Sequence, residues 1–321
     1  MLLQSADDDI IMWRKGTEQW RVPQSTCPGS TSRVSLSKGA PGNRAVREKI
    51  QELLMEQAEG RLRTTSRNGT VLGHTEVNDA QGSCVFLTQN CANPDNAYGR
   101  RMSAKMEEAG VKGYGRSPAG LKKWDQKRRS LINLGPGSLG SCALVANSEN
   151  MLKGKRGADI DAHDTVFRHN TPVRGFEQHV GKRSTIIWNK STYQSKSGQG
   201  VPELAHALLM NIDKVPPSFR YKSKHIFLRA GAANPLARDR RAMYRLLGRG
   251  SRKHPSGGFS RPLNILASKL CTRVDLYGFS GLGGGKYFSK GAKVRAAHDM
   301  PFEHWAYRWL MSKGKLCVYG D

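Results

Sequence analysis

Three short stretches of the sequence carry groups that could do chemistry. In HDMPFE, the imidazole of His298 could act as a general base near neutral pH. Ser256-Gly257-Gly258 precedes a helical pattern, and backbone N–H groups at a glycine-rich helix entry can bind an anion. Asn147-Ser148 could hydrogen-bond a ribose or a phosphate. A histidine followed at this spacing by a glutamate is common, so HDMPFE alone indicates little.

The position of Asn147-Ser148 strengthens its interpretation. The pair follows CALVA (Cys142–Ala146), a short apolar run between turn residues that is typical of a strand buried on both faces. Open α/β sheets place ligands at the carboxyl ends of their strands. A second asparagine, Asn170, ends the extended stretch TVFRHN. We interpret Asp161 and Asp164, which precede that stretch, as structural residues rather than metal ligands.

Strand and helix patterns alternate over the second half of the chain. Buried-strand patterns lie at 142–146, 184–188, 225–228, 274–279 and 316–319. Helical patterns lie between them at 234–248, 260–270 and 302–312. The alternation predicts an α/β fold with a Rossmann-like, mostly parallel sheet flanked by helices. We interpret two glycine-rich stretches, GPGSLG and GLGGGK, as loops, because neither has the sequence context of a nucleotide-binding turn.

Composition divides the 321 residues into three predicted parts. Residues 1–43 are polar and are predicted to be disordered, 44–137 form a helical or irregular lead-in with one amphipathic helix near its start, and 138–321 form the catalytic domain. The chain has no run of about 20 apolar residues, and its start lacks the pattern of a signal peptide. We therefore expect either a soluble protein or a truncated chain without its anchor.

The net charge of +26 favours polyanionic partners, which makes a nucleic-acid-binding protein a competing hypothesis. Aromatic residues make up only 7% and do not alternate with the basic patches, as binding of single strands would require. The six cysteines contain no CxxC pair, which argues against a zinc ribbon. Two glycosylation sequons, at Asn68 and Asn189, are weak indications of secretion.

Three segments resemble motifs of the sialyltransferase family, glycosyltransferase family 29. The segment from Cys142 to Gly181, with GADIDAHDTVFRHN at its centre, resembles the large sialyl motif. HPSGGFSRPLNILASKLCTRVDLYGF resembles the small motif, and HDMPFE resembles the very short motif, H-x4-E. The chain departs from the family pattern at four positions: Ala146, His179, Gly257 and Lys286, the last in place of a histidine.

The resemblance implies the sialyltransferase variant of the GT-A fold and an inverting transfer of sialic acid from CMP-sialic acid to a glycan of a glycoprotein or glycolipid. It implies His298 as the catalytic base, a Cys142–Cys271 disulfide, no metal or other cofactor, and the Golgi lumen as the location. It also implies a set of residues that bind the CMP-sugar donor: Asn147, Ser148, Asn170, Ser256, Gly257, Gly258, Gly278, Phe279 and Lys286.

Two alternatives within the resemblance stay open at this point. The motifs recognise CMP rather than the sugar, so another CMP-activated keto sugar such as CMP-Kdo is an alternative donor. The departures at Ala146, Gly257 and Lys286 also permit a degenerate relative that binds CMP or a glycan without catalysis.

Overall fold

The structure is a computed structural model. The residues that it describes are 13–14, 17–21, 27, 33–35, 37–65, 71–76, 78–79, 82–83, 85, 135–169, 172–188, 207–211, 225–229, 236–249, 253–279, 285–289 and 297–319. Their strands are β1 (Trp13–Arg14), β2 (Thr17–Arg21), β3 (Arg33–Ser35), β4 (Arg61–Thr65), β5 (Val71–Glu76), β6 (Asn78–Asp79), β7 (Gly82–Ser83), β8 (Ser141–Val145), β9 (Thr165–His169), β10 (Ile186–Trp188), β11 (Ala207–Asn211), β12 (His225–Arg229), β13 (Arg273–Tyr277) and β14 (Cys317–Tyr319). Their helices are α1 (Arg44–Ala58), α2 (Gly157–Asp161), α3 (Glu177–Val180), α4 (Leu236–Leu246), α5 (Gly257–Ser268) and α6 (Met300–Ser312), with a 3₁₀ helix at Glu149–Lys153.

The central sheet has seven strands in the order β12-β11-β10-β9-β8-β13-β14, and every pair of neighbours is parallel. This confirms the predicted α/β fold. From β8 the chain builds outward through β9 to β12, and it then returns to add β13 and β14 on the other side of β8. The direction of strand addition therefore reverses between β8 and β13. In sheets of this kind, ligands bind outside the carboxyl ends of the strands at such a reversal.

Helix α1 is part of the main core, although it falls in the predicted lead-in region. The side chain of Asn43 caps the amino end of the helix by accepting a hydrogen bond from the Val46 N–H at 3.1 Å. The helix packs on α4 and α5, and the Gln57 amide donates to the Leu236 carbonyl at 3.1 Å. Because the apolar face of α1 is buried against these helices, α1 belongs to the same packed unit as the predicted catalytic domain.

The prediction of disorder for residues 1–43 is wrong for the part of that segment that the structure describes. Strands β1, β2 and β3 form an antiparallel sheet. Cys27 is buried and forms a disulfide with Cys317 in β14. A Cβ at Gly39 would lie 2.0 Å from the Pro301 carbonyl oxygen, so this stretch packs directly on the first turn of α6. The tertiary contacts and the disulfide supply the order that the polar composition does not predict.

A second disulfide joins Cys142 in β8 to Cys271, two residues before β13. This is the pair that the family resemblance implies. It connects the two strands at which the sheet order reverses, close to their amino ends. Cys84 and Cys91 lie outside the described residues, as do both sequons.

Helix α5 begins three residues earlier than its sequence pattern predicts, and Pro262 lies inside it. The Ser256 side chain caps the helix by accepting from the Phe259 N–H at 2.9 Å. Pro262 has no N–H to donate to the Gly258 carbonyl. The buried hydroxyl of Tyr307 in α6 donates to that carbonyl instead, at 2.5 Å. This tertiary hydrogen bond allows the helix to continue through the proline.

Candidate functional site

Two strand ends form one wall of the candidate site. The Ala146 N–H, just after β8, donates to the Tyr277 carbonyl at the end of β13 at 2.9 Å, so the residues that follow both strands start side by side. Gly278 has φ +77°, and a Cβ there would lie 2.7 Å from the Met151 sulfur. Glycine suits this position for two reasons: its backbone is left-handed, and Met151 leaves no room for a Cβ. The structure brings Gly278 and Phe279 to the same sheet edge as Asn147 and Ser148.

A short loop, residues 285–289, lies against this edge. The Tyr287 N–H donates to the Asn147 carbonyl at 3.1 Å, and Lys286 forms an isolated antiparallel bridge with Ser148. The Lys286 side chain is exposed, with its ammonium 5.6 Å from the centre of the Phe288 ring. The structure thus brings Lys286 next to Asn147 and Ser148, although 138 positions separate Ser148 from Lys286 in the sequence.

The amino end of α5 lies beside the residues that follow β13. The first N–H groups of a helix have no partner within the helix, and at this end they belong to Gly257 and Gly258. A Cβ at Gly258 would lie 4.0 Å from the Phe279 ring, which brings this helix end to the residues after β13. The Tyr307 ring packs edge-on against Phe279 at 5.7 Å between centres. This arrangement presents unpaired N–H groups beside the sheet edge, which suits a phosphate.

The structure corrects the role predicted for Ser256. Its N–H donates to Glu303 Oε1 at 2.8 Å, and its hydroxyl donates to Glu303 Oε2 at 2.5 Å. Because Glu303 takes both of its donors, Ser256 positions the helix end and has none left for a phosphate. Glu303 is 1% exposed and also accepts from the Tyr244 hydroxyl at 2.6 Å. Burial raises the pKa of the Glu303 carboxyl above its usual value, although these hydrogen bonds act in the opposite direction.

His298 lies just before α6, whose cap is Asp299. The His298 Nδ1 is 3.0 Å from the His254 carbonyl oxygen, and a carbonyl can only accept a hydrogen bond. The neutral imidazole therefore carries its proton on Nδ1 and leaves Nε2 as the basic nitrogen. The His254 ring packs edge-on against the His298 ring at 4.8 Å between centres. Since His254 lies two residues before Ser256, this contact fixes His298 close to the amino end of α5.

The remaining residues of the large-motif segment build the scaffold. Asp161 accepts from the N–H groups of Lys182 and Arg183, and Asp164 Oδ2 accepts from the Ser141 N–H and hydroxyl at 2.8 and 2.7 Å. His163 Nε2 is 2.9 Å from Asp275 Oδ2 in β13. Burial disfavours the charged imidazole of His163, but the hydrogen bond and charge of Asp275 outweigh it and raise its pKa.

The His163–Asp275 pair lines a cavity on one face of the sheet, and none of the predicted donor-binding residues lines it. Of those predicted residues, Asn170 lies outside the described residues. Sequence reasoning missed Tyr244, His254 and Tyr307, which hold Glu303, His298 and Gly258 respectively. Each of these contacts joins residues more than forty positions apart, and no local pattern identifies them.

Comparison with known proteins shows similarity to sialyltransferases over part of the chain. The model of glycosyltransferase family 29 (sialyltransferase) matches residues 87–212. The chain is 28% identical over 184 residues to sialyltransferase-like protein 2 of Arabidopsis thaliana, covering 55% of this chain and 38% of that protein. It is 29% identical over 205 residues to CMP-N-acetylneuraminate-beta-galactosamide-alpha-2,3-sialyltransferase 1 of Mus musculus, covering 56% and 58%. The chain thus spans between two fifths and three fifths of the length of these relatives.

A solved structure described as a mammalian sialyltransferase in complex with Gal-beta-1-3GalNAc-ortho-nitrophenol aligns over 74% of this chain and 90% of its own, with 20% identity and a TM-score of 0.45. The chain is thus similar to glycosyltransferase family 29, the sialyltransferases, over part of its length. Within the described residues, no helix is long and apolar enough to cross a membrane.

Proposed function

We propose that this chain is a glycosyltransferase that moves sialic acid from CMP-sialic acid to a hydroxyl of a glycan, with inversion and with His298 as the general base. The observation that carries the proposal is the tautomer of His298. Its Nδ1–H is held by the His254 carbonyl, so a basic Nε2 is available beside the amino end of α5. A base next to an anion-binding helix end is what a transfer from a phosphate leaving group requires.

In the proposed reaction the acceptor oxygen forms a bond to the anomeric carbon while the bond from that carbon to the phosphate oxygen breaks. CMP leaves with the electron pair, and the acceptor proton passes to His298 Nε2. Two helix N–H groups and the ammonium of Lys286 stabilise the leaving phosphate, so the proposed step uses no metal. The donor is held by residues at the sheet edge and helix end: Asn147, Ser148, Gly257, Gly258, Gly278, Phe279 and Lys286. Asn170 is included from the sequence motif alone.

Two further features support parts of this proposal. The mouse relative is named for CMP-N-acetylneuraminate as donor and a beta-galactosamide as acceptor, which favours this donor and a glycan acceptor on a glycoprotein or glycolipid. The Cys27–Cys317 and Cys142–Cys271 disulfides favour an oxidising compartment, and we propose the Golgi lumen.

One specific observation keeps a second function open. Lys286 occupies the place where the family pattern has a histidine, and its side chain lies exposed beside Ser148. A lysine can stabilise the phosphate, but it is a poor acid near neutral pH. A relative that binds CMP or a glycan without turnover is therefore the second candidate, and a transferase for CMP-Kdo is a variant of the first.

The test is a transfer assay with CMP-sialic acid and CMP-Kdo against galactose- and sialic-acid-terminated acceptors, with linkage analysis of the product. For His298→Ala we expect a loss of about 10²–10⁴-fold in kcat, with CMP affinity by calorimetry unchanged within about twofold. His74→Ala, on strand β5, is the matched control and should keep wild-type rates. Near-normal transfer by His298→Ala would refute the assignment of the base. Tight CMP binding without turnover by the wild type would favour the second candidate.

A further inference from the structure

Helix α4 presents a row of arginines to solvent. Arg238, Arg241 and Arg245 are all exposed and follow one another at three- and four-residue spacing. At about 100° per residue they lie within an arc of about 60° and span about 10 Å along the helix axis. Two buried residues of the helix, Leu236 and Met243, lie on the opposite side. We call these three side chains the arginine face.

Among the described residues, no carboxylate neutralises the positive charge of Arg241 and Arg245. Neither Arg241 nor Arg245 has an acidic partner within 4.0 Å among the residues that the structure describes, and the Arg241 Nε donates only to the Ala237 carbonyl of its own helix. Arg238 donates to the Arg63 carbonyl and forms a long ion pair with Asp239, at 3.8 Å. Like charges at this spacing on a helix destabilise it slightly. The fourth arginine of the helix, Arg240, is buried and donates to Gln57, so helix packing accounts for it but not for the other three.

The carboxyl end of α4, where Arg245 lies, is close to the candidate active site. Two residues at the carboxyl end of α4 contact the start of α6: the Tyr244 hydroxyl donates to Glu303, and Arg249, just past the helix, forms an ion pair with Asp299. Asp299 is the cap of α6 and follows His298 directly. An acceptor whose hydroxyl reaches His298 could therefore extend along the arginine face.

We propose that the arginine face is a docking surface for an anionic acceptor, a glycan that carries carboxylate or sulfate groups near the hydroxyl to be modified. The guanidinium groups suit this ligand because each offers a planar pair of donors that fits a carboxylate or sulfate. The inference rests on the proposed function, since it names the acceptor class of the same site. Charge complementarity and continuity with His298 favour the acceptor over a nucleic acid or a membrane, which have no reason to lie beside the base.

The test compares two acceptors that differ only in one sulfate group, using the wild type, Arg241→Gln/Arg245→Gln and a control. The control, Lys182→Gln/Lys269→Gln, removes two exposed cations that precede β10 and β13, at the opposite edge of the sheet. For the arginine variant we expect the KM of the sulfated acceptor to rise roughly 2–30-fold, as for the loss of two exposed ion pairs, with kcat unchanged. The KM of the neutral acceptor should stay within about twofold for every protein. Equal changes for both acceptors, or no change for either, would overturn the inference.

A direct titration keeps this test separate from the proposed function. The sulfated acceptor is titrated without donor into the same three proteins, and the arginine variant alone should bind it more weakly, even if no protein shows transfer. A variant that loses affinity for a single-stranded oligonucleotide or for phosphatidylserine vesicles, but keeps it for the sulfated acceptor, would contradict the inference. Failure of transfer to both acceptors by the wild type would count against the proposed function and leave the titration to decide the role of the arginine face.

Discussion

Replacement of Glu303 should separate a structural carboxylate from a catalytic one. Three donors converge on this side chain: the Tyr244 hydroxyl, the Ser256 N–H and the Ser256 hydroxyl. Glu303→Ala leaves all three buried without an acceptor, and each unpaired group costs about 1–3 kcal/mol, so we expect a loss of about 3–9 kcal/mol in the free energy of unfolding. Glu303→Gln keeps an acceptor oxygen, and the Ser256 hydroxyl can turn to accept from the new amide. We expect that variant to lose only about 1–2 kcal/mol.

The pH dependence adds an independent check. Because burial raises the folded-state pKa of Glu303, the folded state binds more protons than the unfolded state above about pH 4.3, the usual pKa of a glutamate. Stability falls as pH rises where the folded state holds more protons. The advantage of wild type over Glu303→Gln should thus be complete below about pH 4.3 and should shrink as pH rises through the folded-state pKa.

The assay is urea unfolding followed by tryptophan fluorescence, which Trp305 and Trp309 of α6 should report, at several pH values between about 4 and 8. Glu76→Gln, at an exposed position on β5, is the control and should change stability by less than about 0.5 kcal/mol. If Glu303→Ala and Glu303→Gln were equally destabilised, or if the alanine variant lost less than about 1 kcal/mol, the hydrogen-bonding argument would be refuted.

Two further variants test how the site is held together. Tyr307→Phe leaves the Gly258 carbonyl without a donor, because Pro262 cannot supply one. We expect this variant to lower the free energy of unfolding by about 1–3 kcal/mol and to weaken CMP binding. Unchanged stability would contradict this account of the proline. Cys142→Ser/Cys271→Ser removes a cross-link between residues 129 positions apart, which the chain-entropy model values at about 5 kcal/mol. We expect the free energy of unfolding, measured by thermal unfolding without reductant, to fall by about 3–5 kcal/mol. A fall of less than about 1 kcal/mol would argue against the disulfide.

Much of the fold could be predicted because its signals are local. Buried strands such as β8 and β13 are short apolar runs, and each helix has a nearby start or stop residue. Strand β11 was missed because its residues, Ala207–Asn211, include alanine, leucine and methionine, which favour helices. Pairing with β10 and β12 determines its conformation instead. The order at Cys27 was missed for a similar reason, since its partner Cys317 is 290 positions away.

The sequence by itself determined which short stretches are candidates for chemistry. Asn147-Ser148 follows a strand, Gly257-Gly258 begins a helix and His298 lies just before one, and such contexts can be read within a dozen residues. Only the tertiary structure decided how these stretches act together. It assigns both donors of Ser256 to Glu303, fixes the His298 tautomer through the His254 carbonyl, and supplies the Tyr307 hydroxyl that Pro262 makes necessary. The physical reason is that buried polar groups must be paired, and in this chain their partners come from segments far apart in sequence.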